Sequence, residues 1–411
     1  MEERDINTIY PYEKNAKKHP KKQVEQVASS IKEFGFNQPI VVDKHGTIIV
    51  GHGRYEAAKA LKLPTVPTLE VDLTEEQAKA YRLADNKLNE SEWDMALVID
   101  ELKGLSEPML DLTGFEKDLI IEPDEKDDEV PEIPEEPKSK LGDLYELGQH
   151  RVLCGDSTNI EDVEKLMDGK KADMVFTSPP YNMGRGKMYE TYEDNLSSNE
   201  YEKFLQEVIS ICNLVTKGII FWNISYNQNN KKTYLRTLAN LVENTGLNFR
   251  EFITWDKDWA MPITQSDSLT RQTEQILVLE NDERETDIEY IVVLGNIKKP
   301  FLKKTQKKLS NYWKTKSGQR NLENHKACYP TELVVKAILI STREEEKIYE
   351  PFCGSGTNII GAEKTGRICY GMELDPKYVD VIVQRYVDYT GNENIIKNGE
   401  PIVWKKSEKK Q

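Results

Sequence analysis

The sequence predicts an α/β protein whose main body is a doubly wound, mostly parallel sheet, preceded by a small separate α+β unit. Three observations carry this prediction. Apolar strands alternate with amphipathic helices from Met174 onward, an acidic, proline-bearing segment interrupts the chain at 122–137, and the stretch before it reads as a hairpin among helices. The 411 residues exceed one ordinary domain, since chains usually divide at roughly 100–200 residues. The expected division is 1–121, a linker at 122–140, and a larger domain at 141–411 that contains a basic insert at about 281–323.

Lys22 to Phe34 places Val24, Val27, Ile31 and Phe34 on one helical face and stops at Gly35, so a helix is predicted there. Pro39–Val42 and Thr47–Val50 are β-branched runs separated by Lys44-His45-Gly46, the pattern of a hairpin. The second run leads into Gly51-His52-Gly53-Arg54 and a helix from Tyr55 to Leu61. Thr74 and Gln77 have capping-box spacing ahead of a helix that reaches about Asn86. From Glu122 to Pro137 stand nine acidic residues, one lysine and four prolines. Such a segment buries little, and the spacing predicts an extended, self-repelling linker. Beyond it, Met174–Thr177, Gly218–Trp222, Lys347–Tyr349 and Ile368–Met372 read as strands. Tyr201–Val215, Thr331–Ile340 and Asn358–Lys364 read as helices, and a last helix opens with Asp375 as N-cap and Pro376 at its first position.

The formal charge of −15 argues against a generally basic nucleic-acid coat or a polybasic membrane protein. No apolar run approaches the ~18 residues of a membrane span. The N-terminus, MEERDINTIYPYEK, lacks an apolar signal-peptide centre, so a cytoplasmic protein is expected. Its five cysteines (Cys154, Cys212, Cys328, Cys353 and Cys369) form no CxxC pair, which points to reduced, packed thiols and to neither a disulfide framework nor a metal site. Charge is distributed unevenly. Ile297 to Arg320 holds eight lysines, one arginine and no acid, with Phe301, Tyr312 and Trp313 interleaved. Lysines there neutralise phosphates, while Asn311, Gln319 and Arg320 are side chains able to read base edges.

Two segments carry the chemistry. Glu350-Pro-Phe-Cys-Gly-Ser-Gly-Thr lies between a strand and a helix, where glycines let a ligand approach the backbone and the helix N-terminus. Glu373 ends the next strand, the place of a carboxylate that accepts both hydroxyls of a ribose. Thr177-Ser178-Pro179-Pro180-Tyr181-Asn182 follows a strand at its carboxyl end. Its two prolines remove backbone donors and stiffen the loop, so that Ser178 and the Pro179 carbonyl can accept the hydrogens of a planar amine while Tyr181 covers its ring.

These segments resemble the DNA amino-methyltransferases: the TSPPYN loop looks like their catalytic motif, and EPFCGSGT like their S-adenosylmethionine motif. Asn324-His325-Lys326-Ala327-Cys328-Tyr329-Pro330 is similar to the stretch that closes over the methionine part of the cofactor. The catalytic motif precedes the cofactor motif, which is the permuted order of the beta class, and the resemblance runs from about Leu141 to Trp404. It implies a Rossmann-like methyltransferase domain. It also implies that Glu350 and the Gly354-Ser355-Gly356 turn hold the methionine end, that the stretch with His325 and Pro330 closes over it, that Phe352 and Thr357 belong to the cofactor site, that Glu373 holds the ribose, and that Asp156 contacts the adenine. Ser178, Pro179, Pro180 and Tyr181 are then the catalytic loop, acting on a base flipped out of double-stranded DNA. Serine in the first loop position leans toward cytosine-N4 over adenine-N6. The basic insert falls where beta-class enzymes carry their target-recognition region, which implicates Lys303, Lys304, Lys307, Lys308, Asn311, Trp313, Lys314 and Arg320 in DNA contact.

Gly51-His52-Gly53-Arg54, with Tyr55-Glu56-Ala57-Ala58 following, resembles the ParB-like domain over about Ile6 to Asp72. That likeness implies a phosphate-facing turn for a nucleotide, although partition proteins have Gly-Glu-Arg-Arg here; DNA or protein docking without catalysis is the other reading. The expectation for the whole is a site-specific, S-adenosylmethionine-dependent DNA methyltransferase of a restriction-modification type, with homodimerisation left open. The alternatives are a partition-type DNA-binding protein with a non-catalytic methylase fold, or methylation of a substrate other than DNA.

Overall fold

The computed structural model describes residues 1–13, 15, 17–88, 95–115, 117–180, 182, 196–224, 231–256, 273–280, 312–315 and 329–407. They form two units, Met1–Ile120 and Ile121–Gln411.

The first unit comprises β1 (Glu2–Asp5), α1 (Lys21–Phe34), β2 (Ile40–Val42), β3 (Ile48–Val50), α2 (His52–Ala60), β4 (Thr65–Glu70), α3 (Glu75–Leu88), α4 (Met95–Lys103) and α5 (Glu107–Thr113). Its sheet has the order β1-β4-β2-β3, with the expected antiparallel hairpin of β2 and β3 at one side. Ile9, Ile40, Ile48, Ala58 and Val66 fill the core beneath it. The Thr74–Gln77 capping box forms, with Gln77 N donating to Thr74 Oγ1 at 3.2 Å and Thr74 N to Gln77 Oε1 at 2.9 Å. The helix after the hairpin starts at His52, earlier than the expected Tyr55.

The second unit comprises β5 (Leu144–Leu147), β6 (His150–Cys154), α6 (Ile160–Met167), β7 (Ala172–Thr177), α7 (Ser198–Val215), β8 (Thr216–Ile224), α8 (Lys231–Glu243), β9 (Asn248–Asp256), β10 (Thr273–Glu280), β11 (Tyr312–Lys314), α9 (Thr331–Ser341), β12 (Lys347–Glu350), α10 (Thr357–Lys364), β13 (Ile368–Glu373), α11 (Pro376–Thr390), β14 (Asn394–Lys397) and β15 (Glu400–Val403). Among the described residues the strands make one sheet of order β11-β9-β10-β8-β7-β12-β13-β6-β5-β14-β15. The centre, β8-β7-β12-β13-β6, is parallel. Hairpins extend it antiparallel on both sides, through β10 and β9 and through β5, β14 and β15. The sheet is therefore mixed, with the expected parallel strands at its heart. Central strands such as Gly218–Trp222 are apolar on both faces because helices cover both.

Two expectations need correction. Trp313, expected at a DNA-reading surface, lies in β11 with 5% exposure, its ring centroid 6.3 Å from that of Phe221. Side chains alternate across a paired strand, and the indole occupies a core-facing position. The acidic segment is also not a free tether. Glu125–Asp128 forms a 3-10 turn capped by Asp124, and Asp127 is only 2% exposed.

Candidate active site

Cys154, Glu373, Glu350 and Thr177 end β6, β13, β12 and β7, four neighbouring parallel strands. In open α/β sheets ligands bind beyond such carboxyl ends, where the strand order reverses. A cavity of about 280 Å³ lies there.

One wall is the turn between β12 and α10. Gly354 and Gly356 have φ of +51° and +83°, the left-handed region that glycine enters without a steric cost. A Cβ on Gly356 would stand 3.1 Å from Ile382 Cγ2, whereas nothing lies within 4 Å of a Cβ on Gly354, which borders the cavity. One glycine lets the turn pack on α11; the other leaves its backbone open to a ligand. Ser355 and Thr357 line the same wall, as does Phe352, whose ring centroid is 5.8 Å from that of Phe204 on α7.

Glu373 closes the adjacent side. Its Oε2 accepts from Gly354 N at 2.8 Å and its Oε1 from Asp375 N at 2.9 Å. Burial pushes this carboxyl up to about 7, against the pull of those backbone donors. Each carboxylate oxygen offers two acceptor sites, so capacity remains for hydroxyl donors. Asp156 lines the cavity from the loop after β6, and its Oδ1 accepts from Thr158 N and Oγ1, both at 2.8 Å.

Glu350 departs from its expected role as a ligand contact. It is fully buried behind the wall, where Oε1 accepts from Thr177 Oγ1 at 2.7 Å and Phe352 N at 3.0 Å, and Oε2 from Tyr329 OH at 3.0 Å and from Asn358 Nδ2. Burial pushes its carboxyl up to about 8. A carboxyl group with four hydrogen-bond partners is satisfied where it is, so Glu350 ties β7, the turn after β12 and α10 to one another.

The loop after β7 borders the cavity through Ser178 and Pro180, with Pro179 buried behind them. Asn223 Nδ2, near the end of β8, donates to Ser178 Oγ at 3.3 Å, and Tyr201 OH on α7 donates to the Pro180 carbonyl at 2.7 Å. Sequence reasoning missed both supports. The signal for one was a lone asparagine ending an apolar strand; Tyr201 reads only as part of a helix's apolar face. Tyr329, from the stretch expected to close over the cofactor, Cys353, from the glycine-bearing turn, and Phe204, on which no expected role had fallen, also line the cavity.

Thus Asp156, Ser178, Pro180, Phe352, Gly354, Ser355, Thr357 and Glu373 converge on one space. Pro179, Glu350 and Gly356 support it from behind, and Pro330 is buried at the N-cap of α9. Tyr181, His325, Lys303, Lys304, Lys307, Lys308, Asn311 and Arg320 lie outside the described residues, as does the side chain of Lys314. Burial pushes the Cys353 and Cys369 thiols well up and Cys154 up to about 12, which keeps all three protonated.

This donor set suits a nucleoside-bearing ligand: a carboxylate for ribose hydroxyls, Phe352 and Leu374 for a planar ring, and open backbone at Gly354. The Gly51–Arg54 turn belongs to the first unit. Gly51, φ +103°, caps α2 beside a cavity of about 210 Å³ lined by His52, Gly53, Arg54, His19 and Asp85. His52 Nε2 accepts from Tyr12 N at 3.2 Å, and burial pushes the imidazole down to about 4, so it carries no charge at neutral pH.

The family model described as DNA methylase matches residues 172–384, and the ParB N-terminal domain matches residues 2–87. The type II methyltransferase M.BglII of Bacillus subtilis is 25% identical over 262 residues, covering 57% of this chain and 68% of that protein. The ParB-like nuclease domain-containing protein YnaK of Escherichia coli K12 is 44% identical over 75 residues, 18% of this chain and 86% of that protein. Among solved structures, PvuII DNA methyltransferase (cytosine-N4-specific) is similar at 19% identity and a TM-score of 0.45, over 59% of this chain and 88% of that one. With its cofactor-type cavity, catalytic-type loop and permuted order, the chain belongs to the DNA methylase family as an S-adenosylmethionine-dependent amino-methyltransferase that carries a ParB-type domain at its N-terminus.

Proposed function

We propose that the second unit methylates the exocyclic amine of a base flipped out of double-stranded DNA, cytosine-N4 in preference to adenine-N6. The observation that carries this reading is that Ser178 and Pro180 border the same cavity as Gly354 and Glu373, so the amine-holding loop and the nucleoside-holding turn face one space. S-adenosylmethionine would be held by Glu373 at its ribose, by Asp156 and Phe352 at its adenine, and by the Gly354–Thr357 turn at its methionine end; bound there, it supplies an electrophilic methyl on a sulfonium. The amine of a nucleobase is a weak nucleophile because its lone pair is delocalised into the ring. Ser178 Oγ and the Pro179 carbonyl accept its hydrogens and so favour a pyramidal nitrogen with the lone pair free. Asn223 fixes Ser178 by donating to it, and Tyr201 fixes Pro180, which places the acceptors before the base arrives. Tyr181 stacks on the flipped ring, and the insert lysines neutralise DNA phosphates. The Gly51–Arg54 turn takes a nucleotide or docks on DNA.

Incubation with labelled S-adenosylmethionine and varied duplexes, followed by mass spectrometry of the nucleosides, tests this reading. N4-methylcytosine is the expected product. N6-methyladenine alone overturns the base preference, and no transfer by the folded protein overturns the reading as a whole.

A further inference from the structure

The acidic segment that opens the second unit is wired to the walls of the cavity. Asp127 Oδ2 accepts from Lys364 Nζ at 2.6 Å and from Asp124 N at 2.8 Å, while Tyr389 OH donates to its Oδ1 at 3.3 Å. These contacts present the Asp127 carbonyl to Arg385 Nη2 at 2.7 Å. Arg385 is 3% exposed, and its Nη1 donates to Ser355 O at 3.0 Å, Ser355 Oγ at 3.2 Å and Thr357 Oγ1 at 3.3 Å. One guanidinium thus spans the acidic turn and the cofactor turn. A second connection runs through Asp128, whose Oδ1 accepts from Thr331 N at 2.7 Å. The N-cap of α9 is Pro330, which offers no side-chain acceptor, so a carboxylate from elsewhere in the chain caps this helix. Two residues before Thr331, Tyr329 lines the cavity and holds Glu350.

We propose that Asp127 and Asp128 are positioning residues of the cofactor cavity, acting through Arg385 on Ser355 and Thr357 and through Thr331 on Tyr329. Asp127, Asp128, Arg385 and Thr331 are all set back from the cavity lining; Ser355 and Thr357, which Arg385 holds, and Tyr329, two residues before Thr331, belong to it. The inference rests on reading that cavity as the S-adenosylmethionine site. It assigns a task to a segment whose composition reads as a spacer: its carboxylates hold the cofactor turn in its binding geometry before the cofactor arrives, which lowers the ordering cost of binding.

The test uses the full-length chain. S-adenosylmethionine affinity is measured by calorimetry for wild type, Asp127→Ala, Asp128→Ala and Asp128→Asn, together with the unfolding midpoint of each apo protein and KM for DNA. Both alanine variants should weaken S-adenosylmethionine binding roughly tenfold to a hundredfold, the scale of lost hydrogen bonds to a charged group: Asp128→Ala removes the one from Thr331 N, and Asp127→Ala those from Lys364, Asp124 N and Tyr389. KM for DNA should stay within about twofold, because the groups this wiring positions, Ser355, Thr357 and Tyr329, line the cofactor cavity. Asp128→Asn keeps an acceptor oxygen for Thr331 and should restore affinity. Ser139→Ala is the control: it removes a hydroxyl that bonds Asp380 elsewhere along the same segment, so it should lower the midpoint and leave affinity unchanged. Should Asp127→Ala fail to fold, Tyr389→Phe removes a single anchor of the turn and should weaken binding by about twofold. Variants that lower the midpoint with unaltered affinity overturn the proposal. If wild type binds no S-adenosylmethionine, the cavity reading itself falls and takes the proposal with it.

Discussion

Gly371, in β13 beneath the cofactor turn, gives a prediction whose size follows from the coordinates. A Cβ at this position would stand 2.1 Å from Cys353 Sγ, while its next neighbours, Cys353 Cβ and Ile359 Cδ1, are both at 3.7 Å. The conflict therefore involves one sulfur atom. Gly371→Ala must displace a buried thiol whose backbone N–H is bound to Met372 O at 2.9 Å, and overpacking of this kind costs about 1–3 kcal/mol. Cys353→Ala alone deletes the sulfur and leaves a small void, at about 1 kcal/mol. In the double variant the methyl introduced at position 371 fills the space the sulfur vacated, with its other neighbours at ordinary distance. The double variant should thus be no less stable than Cys353→Ala, and the two changes should couple by about 2 kcal/mol in a double-mutant cycle. Urea unfolding followed by tryptophan fluorescence measures the cycle. S-adenosylmethionine affinity should follow it, because Cys353 precedes Gly354 in the turn. Strictly additive losses would refute the reasoning, since they would mean that Gly371 is required for something other than the room its missing side chain leaves to Cys353.

The Glu373 carboxyl stands at about 7 in the fold, against about 4.3 in an unfolded chain. Its contribution to apo stability is therefore full below ~4.3 and lost as pH rises through about 7, and that of Glu350 is lost through about 8. Ribose hydroxyls donate to the ionised form, so calorimetry should show S-adenosylmethionine affinity rising by up to about tenfold between pH 6 and 8, and Glu373→Gln should flatten that rise. Tyr201→Phe releases the Pro180 carbonyl; single-turnover rates should fall about tenfold, with cofactor affinity within about twofold of wild type. Replacing Lys303, Lys304, Lys307 and Lys308 by glutamine should weaken DNA binding and make its salt dependence shallower by about one unit of slope for each phosphate no longer neutralised, as read by anisotropy titrations.

The elements legible in the sequence are those whose own pattern decides them. The β2–β3 hairpin, the Thr74–Gln77 capping box and α11 behind Asp375 and Pro376 each carry a local signal, and each forms. The elements that escaped are decided by partners. β1 reads Glu-Glu-Arg-Asp and is a strand because β4 pairs with it; β14 and β15 pair with each other, and β14 with β5, at the sheet's edge. The same division holds in the site. Gly354, Ser355 and Glu373 were legible because turn chemistry and strand-end position mark them. Tyr201 and Asn223 act through hydrogen bonds across elements, and neither periodicity nor motif spacing records such a bond.

Glu350 and Trp313 show how burial can overturn a motif-based reading. A carboxylate at the end of a strand can face the ligand or the sheet, and what decides is the number of donors each side supplies. Thr177, Phe352, Tyr329 and Asn358 together supply four donors to Glu350, three of them from other elements, so the choice appears only once the fold has brought them together. The acidic segment follows the same logic. Counting charges gives repulsion, because the count has no term for partners. Lys364, Tyr389 and the N-terminus of α9 supply those partners to Asp127 and Asp128, and a segment that composition describes as a spacer becomes part of the structure that holds the cofactor turn.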